Sequence, residues 1–90
     1  MNTIFKGQPV HYTIQGDGFP LVLLHGFNES AEIWKLILPE ISKHFKVICI
    51  DLPGFGKSGL PSNLTIANMA DAVFRVIEEL QLNKPAVIGH

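Results

Sequence analysis

The sequence predicts an α/β protein, with a mostly parallel sheet, helices on both faces and an antiparallel hairpin at its N-terminal edge. Three observations predict it. Residues 20–25 and 46–51 are nearly continuous apolar runs, as in strands buried on both faces. Between and after them lie segments with helical spacing of apolar residues, and a further apolar run starts beyond Pro85. Helices alternating with fully apolar strands imply a parallel sheet sandwiched between helical layers.

Each element has its own signal. Residues 4–6 and 10–14 are short strand candidates, with the turn expected at Gly7-Gln8-Pro9 and a second turn at Gly16-Asp17-Gly18. Pro20-Leu21-Val22-Leu23-Leu24-His25 is the first buried strand. Ser30 can cap a helix carrying Ile33, Trp34, Leu36, Ile37 and Ile41, with a kink or restart at Pro39. Residues 46–51 form the second buried strand, followed by a Gly- and Pro-rich loop to Asn63. Thr65 caps the strongest helix, whose expected apolar face is Ile66, Met69, Ala70, Val73, Val76, Ile77 and Leu80. Asn83 and Pro85 should end it, and Ala86-Val87-Ile88-Gly89-His90 should begin a last strand.

Composition narrows the function. The chain has 90 residues, 47% of them hydrophobic and 17% charged, which describes a globular protein rather than a disordered one. Its net charge of −1, with no basic block, argues against nucleic acid as a partner. Cys49 is the single cysteine, so neither an internal disulfide nor a cysteine zinc site is expected. No apolar run reaches the roughly 18 residues of a membrane helix. The N-terminus lacks the basic start and apolar stretch of a signal peptide, so a cytoplasmic location without membrane contact is expected. The Asn63-Leu64-Thr65 sequon is then a chance match.

Three segments carry chemistry, each at the end of a strand, where open α/β sheets bind their ligands. The first is Leu24-His25-Gly26-Phe27-Asn28. His-Gly after a strand turns the backbone sharply, so that a following N–H can point into a cleft. The same pair can also be a tight turn organised by a hydrogen-bonded histidine. The second is Asp51-Leu52-Pro53-Gly54-Phe55-Gly56-Lys57-Ser58-Gly59. Gly54, Gly56 and Gly59 satisfy G-x-G-x-x-G, but the dinucleotide fingerprint needs its helix to start within the glycine turn. Here Leu60-Pro61-Ser62-Asn63-Leu64 intervenes. Gly56-Lys57-Ser58 resembles the end of a P-loop, yet the residue five before Gly56 is Asp51, not glycine. The third is Val87-Ile88-Gly89-His90, the first half of a G-x-S-x-G nucleophile elbow.

Taken together, His25-Gly26-Phe27, Trp34 and Pro39 on a helix, Asp51 through Ser58 and Gly89-His90 closely resemble the α/β-hydrolase superfamily. The resemblance is to its small soluble esterase-, lactonase- and C–C-hydrolase-like branch and covers the whole chain. It implies that residues 1–90 are the N-terminal segment of one hydrolase domain, ending just before the nucleophile elbow. Because domains of this type run to about 200 residues or more, independent folding of the segment is not expected. By the same resemblance, the Phe27 N–H is one half of an oxyanion hole. Phe27, Asn28 and Trp34 are the candidates for the substrate pocket, with helix core the competing assignment for Trp34.

The resemblance also implies that His25, Gly26, Asp51, Gly54, Gly56, Ser58, Gly89 and His90 are structural motif residues. It implies no proton-transfer role for Asp51, and that none of His11, His25, His44 or His90 is the general base. His11 and His44 are expected at the surface or a sheet edge. The implied activity is serine-nucleophile hydrolysis of an ester, thioester, lactone or similar carbonyl compound, with no metal or organic cofactor. The expected partners are a small-molecule substrate and the remainder of the domain. Two alternatives remain. Asn28 is compatible with the pattern of aspartate-nucleophile haloalkane dehalogenases and epoxide hydrolases, whereas His90 resembles the Gly-His-Ser of the serine branch. A hydrolase-fold binding protein without a triad is the non-enzyme alternative.

Overall fold

The computed structural model describes residues 1–25, 31–54, 56–59 and 65–89. The strands are β1 (Asn2–Phe5), β2 (Gln8–Gln15), β3 (Pro20–Leu24), β4 (Lys46–Ile50) and β5 (Ala86–Gly89). The helices are a 3₁₀ helix, Ala31–Trp34, then α1 (Leu38–Ile41) and α2 (Ile66–Glu79). The five strands form one sheet in the order β1-β2-β4-β3-β5. The β1–β2 and β2–β4 pairs are antiparallel, while β4–β3 and β3–β5 are parallel.

Strands β3 and β4, apart from Lys46 at the start of β4, are apolar because both of their faces are covered. Leu21, Leu23, Val47 and Cys49 point to one face, where they pack with Trp34 and the partly buried Leu38, Ile41 and Phe45. Val22, Ile48 and Ile50 point to the other, where they meet Val10, Tyr12, Ala72, Val73 and Val76. Period-two alternation thus divides each strand between two cores. The connection after β3 covers one face, and the connection after β4 covers the other.

The hairpin turn lies one step earlier than expected. It is Lys6-Gly7, both residues at positive φ (49° and 78°), a geometry whose twist matches that of the flanking strands. Pro9 therefore lies inside β2, opposite Ile4. The expected helix around Trp34 is split. Pro39 has no N–H to continue a helical ladder, and it occupies the first turn of α1, where none is required. Expected cap Ser30 lies outside the described residues. The split leaves Leu36 and Ile37 exposed.

Thr65 caps α2 as expected, its Oγ1 accepting the Asn68 N–H at 3.0 Å. The buried face is Met69, Ala72, Val73 and Val76, an i, i+3, i+4, i+7 set. Ala72 thus replaces the expected Ala70, and Ile66 is exposed. The helix ends before Asn83, by a Schellman motif. Gln81 adopts φ 53°, its N–H bonds the Glu78 carbonyl, and the Leu82 N–H bonds that of Ile77. Leu82 and Ile77 both pack against the core that α2 covers, which supplies the apolar contact of this cap. Among the described residues no helix is long and apolar enough to cross a membrane.

Ile48 is fully buried at the centre of the sheet. Ile48→Ala in the complete polypeptide should therefore cost about 2–5 kcal/mol, read as a lower urea midpoint at unchanged m-value. Cys49 is equally enclosed, and burial pushes its thiol pKa up, outweighing a hydrogen bond from Thr13. A thiol held neutral and out of solvent reacts slowly. Modification by a water-soluble disulfide reagent should be negligible in the native protein and appear with the global unfolding transition.

Candidate active site

The register brings three strand ends level. Leu24 of β3 lies opposite Ile50 of β4 on one side and Gly89 of β5 on the other. The three sequence motifs that follow these residues therefore start side by side along one edge of the sheet. Of the residues singled out there, Gly26, Phe27, Asn28 and His90 lie outside the described residues. His25, Asp51, Gly54, Gly56, Ser58 and Gly89 are all placed.

His25 is buried, and its Nε2 accepts the backbone N–H of Leu52 at 2.9 Å. This bond spans the gap between the ends of β3 and β4, just past the last paired residues Leu24 and Ile50.

The 51–59 loop is laced to β2. The Asp51 N–H bonds the His11 carbonyl at 2.9 Å, and the Gly59 N–H bonds the Pro9 carbonyl at 2.8 Å. Ser58 Oγ accepts the His11 N–H at 2.8 Å and donates to the Asp51 carbonyl. Gly54 N–H closes the loop on the Gly59 carbonyl at 2.9 Å. Pro9, which has no N–H of its own, is suited to this edge because only its carbonyl is used.

Asp51 is buried, and its carboxylate accepts the Lys57 N–H at 3.0 Å. A buried carboxylate requires such partners. Its geometry is that of a turn brace. Gly56 makes the brace possible. At φ 55°, a Cβ on Gly56 would lie 2.4 Å from the Asp51 carboxyl carbon and 2.5 and 2.6 Å from its oxygens. The glycine pattern that mimics a nucleotide motif is thus used to wrap a backbone around a carboxylate.

Trp34 lies in one buried cluster with Leu21, Leu23, Val47 and Cys49. His44 is exposed beside Glu40, at 3.8 Å. His11 is half-buried on β2, with Nδ1 3.0 Å from Asn2 Oδ1. Among the described residues no group of three His, Cys, Asp or Glu side chains could hold a metal ion. Sequence reasoning missed the reach of Ser58 and Gly59 to β2, and the Leu52 partner of His25. The pairing of a loop with a strand some 50 positions earlier leaves no local pattern.

This fold and this row of strand ends define an α/β hydrolase. The α/β-hydrolase-fold family profile matches residues 20–90, and the chain belongs to that family. A soluble epoxide hydrolase of Corynebacterium sp. (strain C12) is 38% identical over 88 residues, spanning 97% of this chain and 31% of the relative. The (E)-2-((N-methylformamido)methylene)succinate hydrolase of Acinetobacter baylyi is 38% identical over 86 residues, spanning 94% of this chain and 33% of the relative. The chain thus spans about a third of these curated relatives. Among solved structures, Est816, described as an N-acyl homoserine lactone degrading enzyme, superposes with a TM-score of 0.94. It is 29% identical, across 99% of this chain and 35% of its own.

Two tests address the loop. Gly56→Ala should destabilise the complete polypeptide by about 1–3 kcal/mol. Pairing it with Asp51→Ala should give a strongly non-additive double-mutant cycle, because the second change removes the group the methyl meets. The second test concerns His11, whose pKa is lowered from its ordinary 6.5, first by burial and then by the N-terminal ammonium. Lys57 adds to the lowering, and Asp51 opposes it. Above pH 6.5 the group is neutral in both states and costs nothing. As pH falls below 6.5, the unfolded chain takes the proton first and stability declines until the folded pKa is passed. His11→Asn should flatten that slope in urea titrations between about pH 8 and pH 5.

Proposed function

We propose that the complete protein is a cytoplasmic serine hydrolase acting on a carboxylic ester, thioester, lactone or related carbonyl compound. The observation that carries this reading is the level pairing of β3 with β5, Leu24 opposite Gly89. Adjacent strands lie about 4.8 Å apart. A nucleophile on the turn after Gly89-His90 and a donor on the turn after His25-Gly26 would therefore face one reacting carbonyl from neighbouring positions. In this reading the serine follows His90, and its Oγ attacks the carbonyl carbon. A histidine and a carboxylate further along the polypeptide take and orient the proton. The Phe27 N–H holds the developing oxyanion, a contribution typically worth about 3 kcal/mol. The side chains of Phe27 and Asn28 line the acyl pocket. The lactone-degrading description of Est816 and the hydrolase from Acinetobacter baylyi support carbonyl chemistry.

The second reading is an aspartate nucleophile opening an epoxide, favoured by the 38% identity to the soluble epoxide hydrolase. There the carboxylate attacks carbon, and water then hydrolyses the ester intermediate.

A fluorophosphonate probe separates them. The serine reading expects covalent labelling of the complete polypeptide at the residue after His90, abolished by substituting that residue with alanine. Absence of labelling, together with oxygen-18 from solvent appearing in a carboxylate after one turnover of an epoxide, establishes the aspartate reading instead. Absence of both marks a binding protein without a triad.

A further inference from the structure

We propose that His11 is an acid-sensitive clasp, which holds the 51–59 loop against β2 while its imidazole is neutral and frees that loop locally when the imidazole takes a proton. The clasp is indifferent to which reaction the complete protein catalyses. The main chain of His11 carries the loop on both of its polar groups. Its N–H donates to Ser58 Oγ at 2.8 Å, and its carbonyl accepts the Asp51 N–H at 2.9 Å. Two positions earlier, the Pro9 carbonyl accepts the Gly59 N–H at 2.8 Å. Asp51 directly follows Ile50, so the loop held here leaves from the row of strand ends.

The half-buried imidazole is faced by groups from two elements. From the β1 side come Asn2, whose Oδ1 lies 3.0 Å from Nδ1, and the N-terminal ammonium. From the loop come Lys57 and Asp51. A proton on the ring therefore meets two cations and one anion. That anion is committed to the turn. Its carboxylate accepts the Lys57 N–H at 3.0 Å, and Gly56 passes so close that a Cβ would stand 2.4 Å from its carbon. Burial is the largest of the effects that disfavour the charged ring, and together they hold the His11 pKa below its ordinary 6.5. Opening the loop returns water to the ring, so the open form takes the proton more readily. Linkage then requires the converse. As pH falls below 6.5, protonation draws the chain toward the open loop until the pKa of the closed form is passed.

Exchange of backbone amides in the unsubstituted complete polypeptide tests the clasp. After correction for the intrinsic pH dependence of exchange, protection of the Asp51 and Gly59 amides should fall about 3-fold from about pH 7.5 to about pH 5.5. Low urea should leave that fall unchanged while it accelerates exchange of the Ile48 amide, because a local opening exposes little surface. His11→Asn keeps both main-chain bonds and cannot take a proton, so it should abolish the fall. Constant protection, a fall that survives His11→Asn, or one that follows urea as Ile48 does would overturn the clasp. The reciprocal measurement is the NMR titration of the His11 ring in Ser58→Ala, where the loop has lost its side-chain bond to the His11 N–H. There the pKa should move back toward 6.5, and an unchanged pKa overturns the coupling.

Discussion

The hydrogen bond from the Leu52 amide to His25 ties the end of β3 to the chain leaving β4. The pairing of these two strands stops at Leu24 and Ile50. One buried side chain supplies the restraint. From Leu52 the same hydrogen-bonded belt continues through Asp51 and Ser58 to β2. Three strands are thereby fastened at one end by groups that belong to neither helix nor sheet. The apolar cores hold the layers together without direction, since burial rewards area rather than orientation. Orientation at the strand ends comes from these polar contacts.

Much of this architecture was legible in the sequence, because strongly periodic signals are local. Val47 through Ile50 read as a doubly buried strand, and all four are enclosed. Thr65 read as a cap and is one. His25 admitted a reading as a hydrogen-bonded turn organiser, and its imidazole is hydrogen-bonded. Asp51 read as structural, and its carboxylate braces a turn. What was not legible depended on distant partners or on tolerated strain. Ala70 and Ala72 are the same residue type two positions apart, and only the packing of α2 decides which is buried. Gln81 in a left-handed conformation has no sequence signature, because glycine or asparagine would be the expected residue there. The lacing of Ser58 to His11 spans 47 positions.

The apolar surface is unevenly covered. The central strands are enclosed, whereas Val87 and Ile88 of β5, together with Ile66 and Phe74 of α2, face outward. Lone exposed apolar residues need no explanation. Among the described residues, β5 is held by its pairing with β3 and by little side-chain burial.

That pairing makes β3 a ruler. Steps along a strand are about 3.3 Å, and each reverses the side a residue faces. A residue added within β5 would carry its end past Leu24 and turn its side chains over. A residue added between α2 and β5 would leave the end where it is. Chain length is therefore free to vary in the connections and closely constrained in the strands. A lineage of such proteins can remodel what surrounds the row of strand ends while the spacing along that row stays constant.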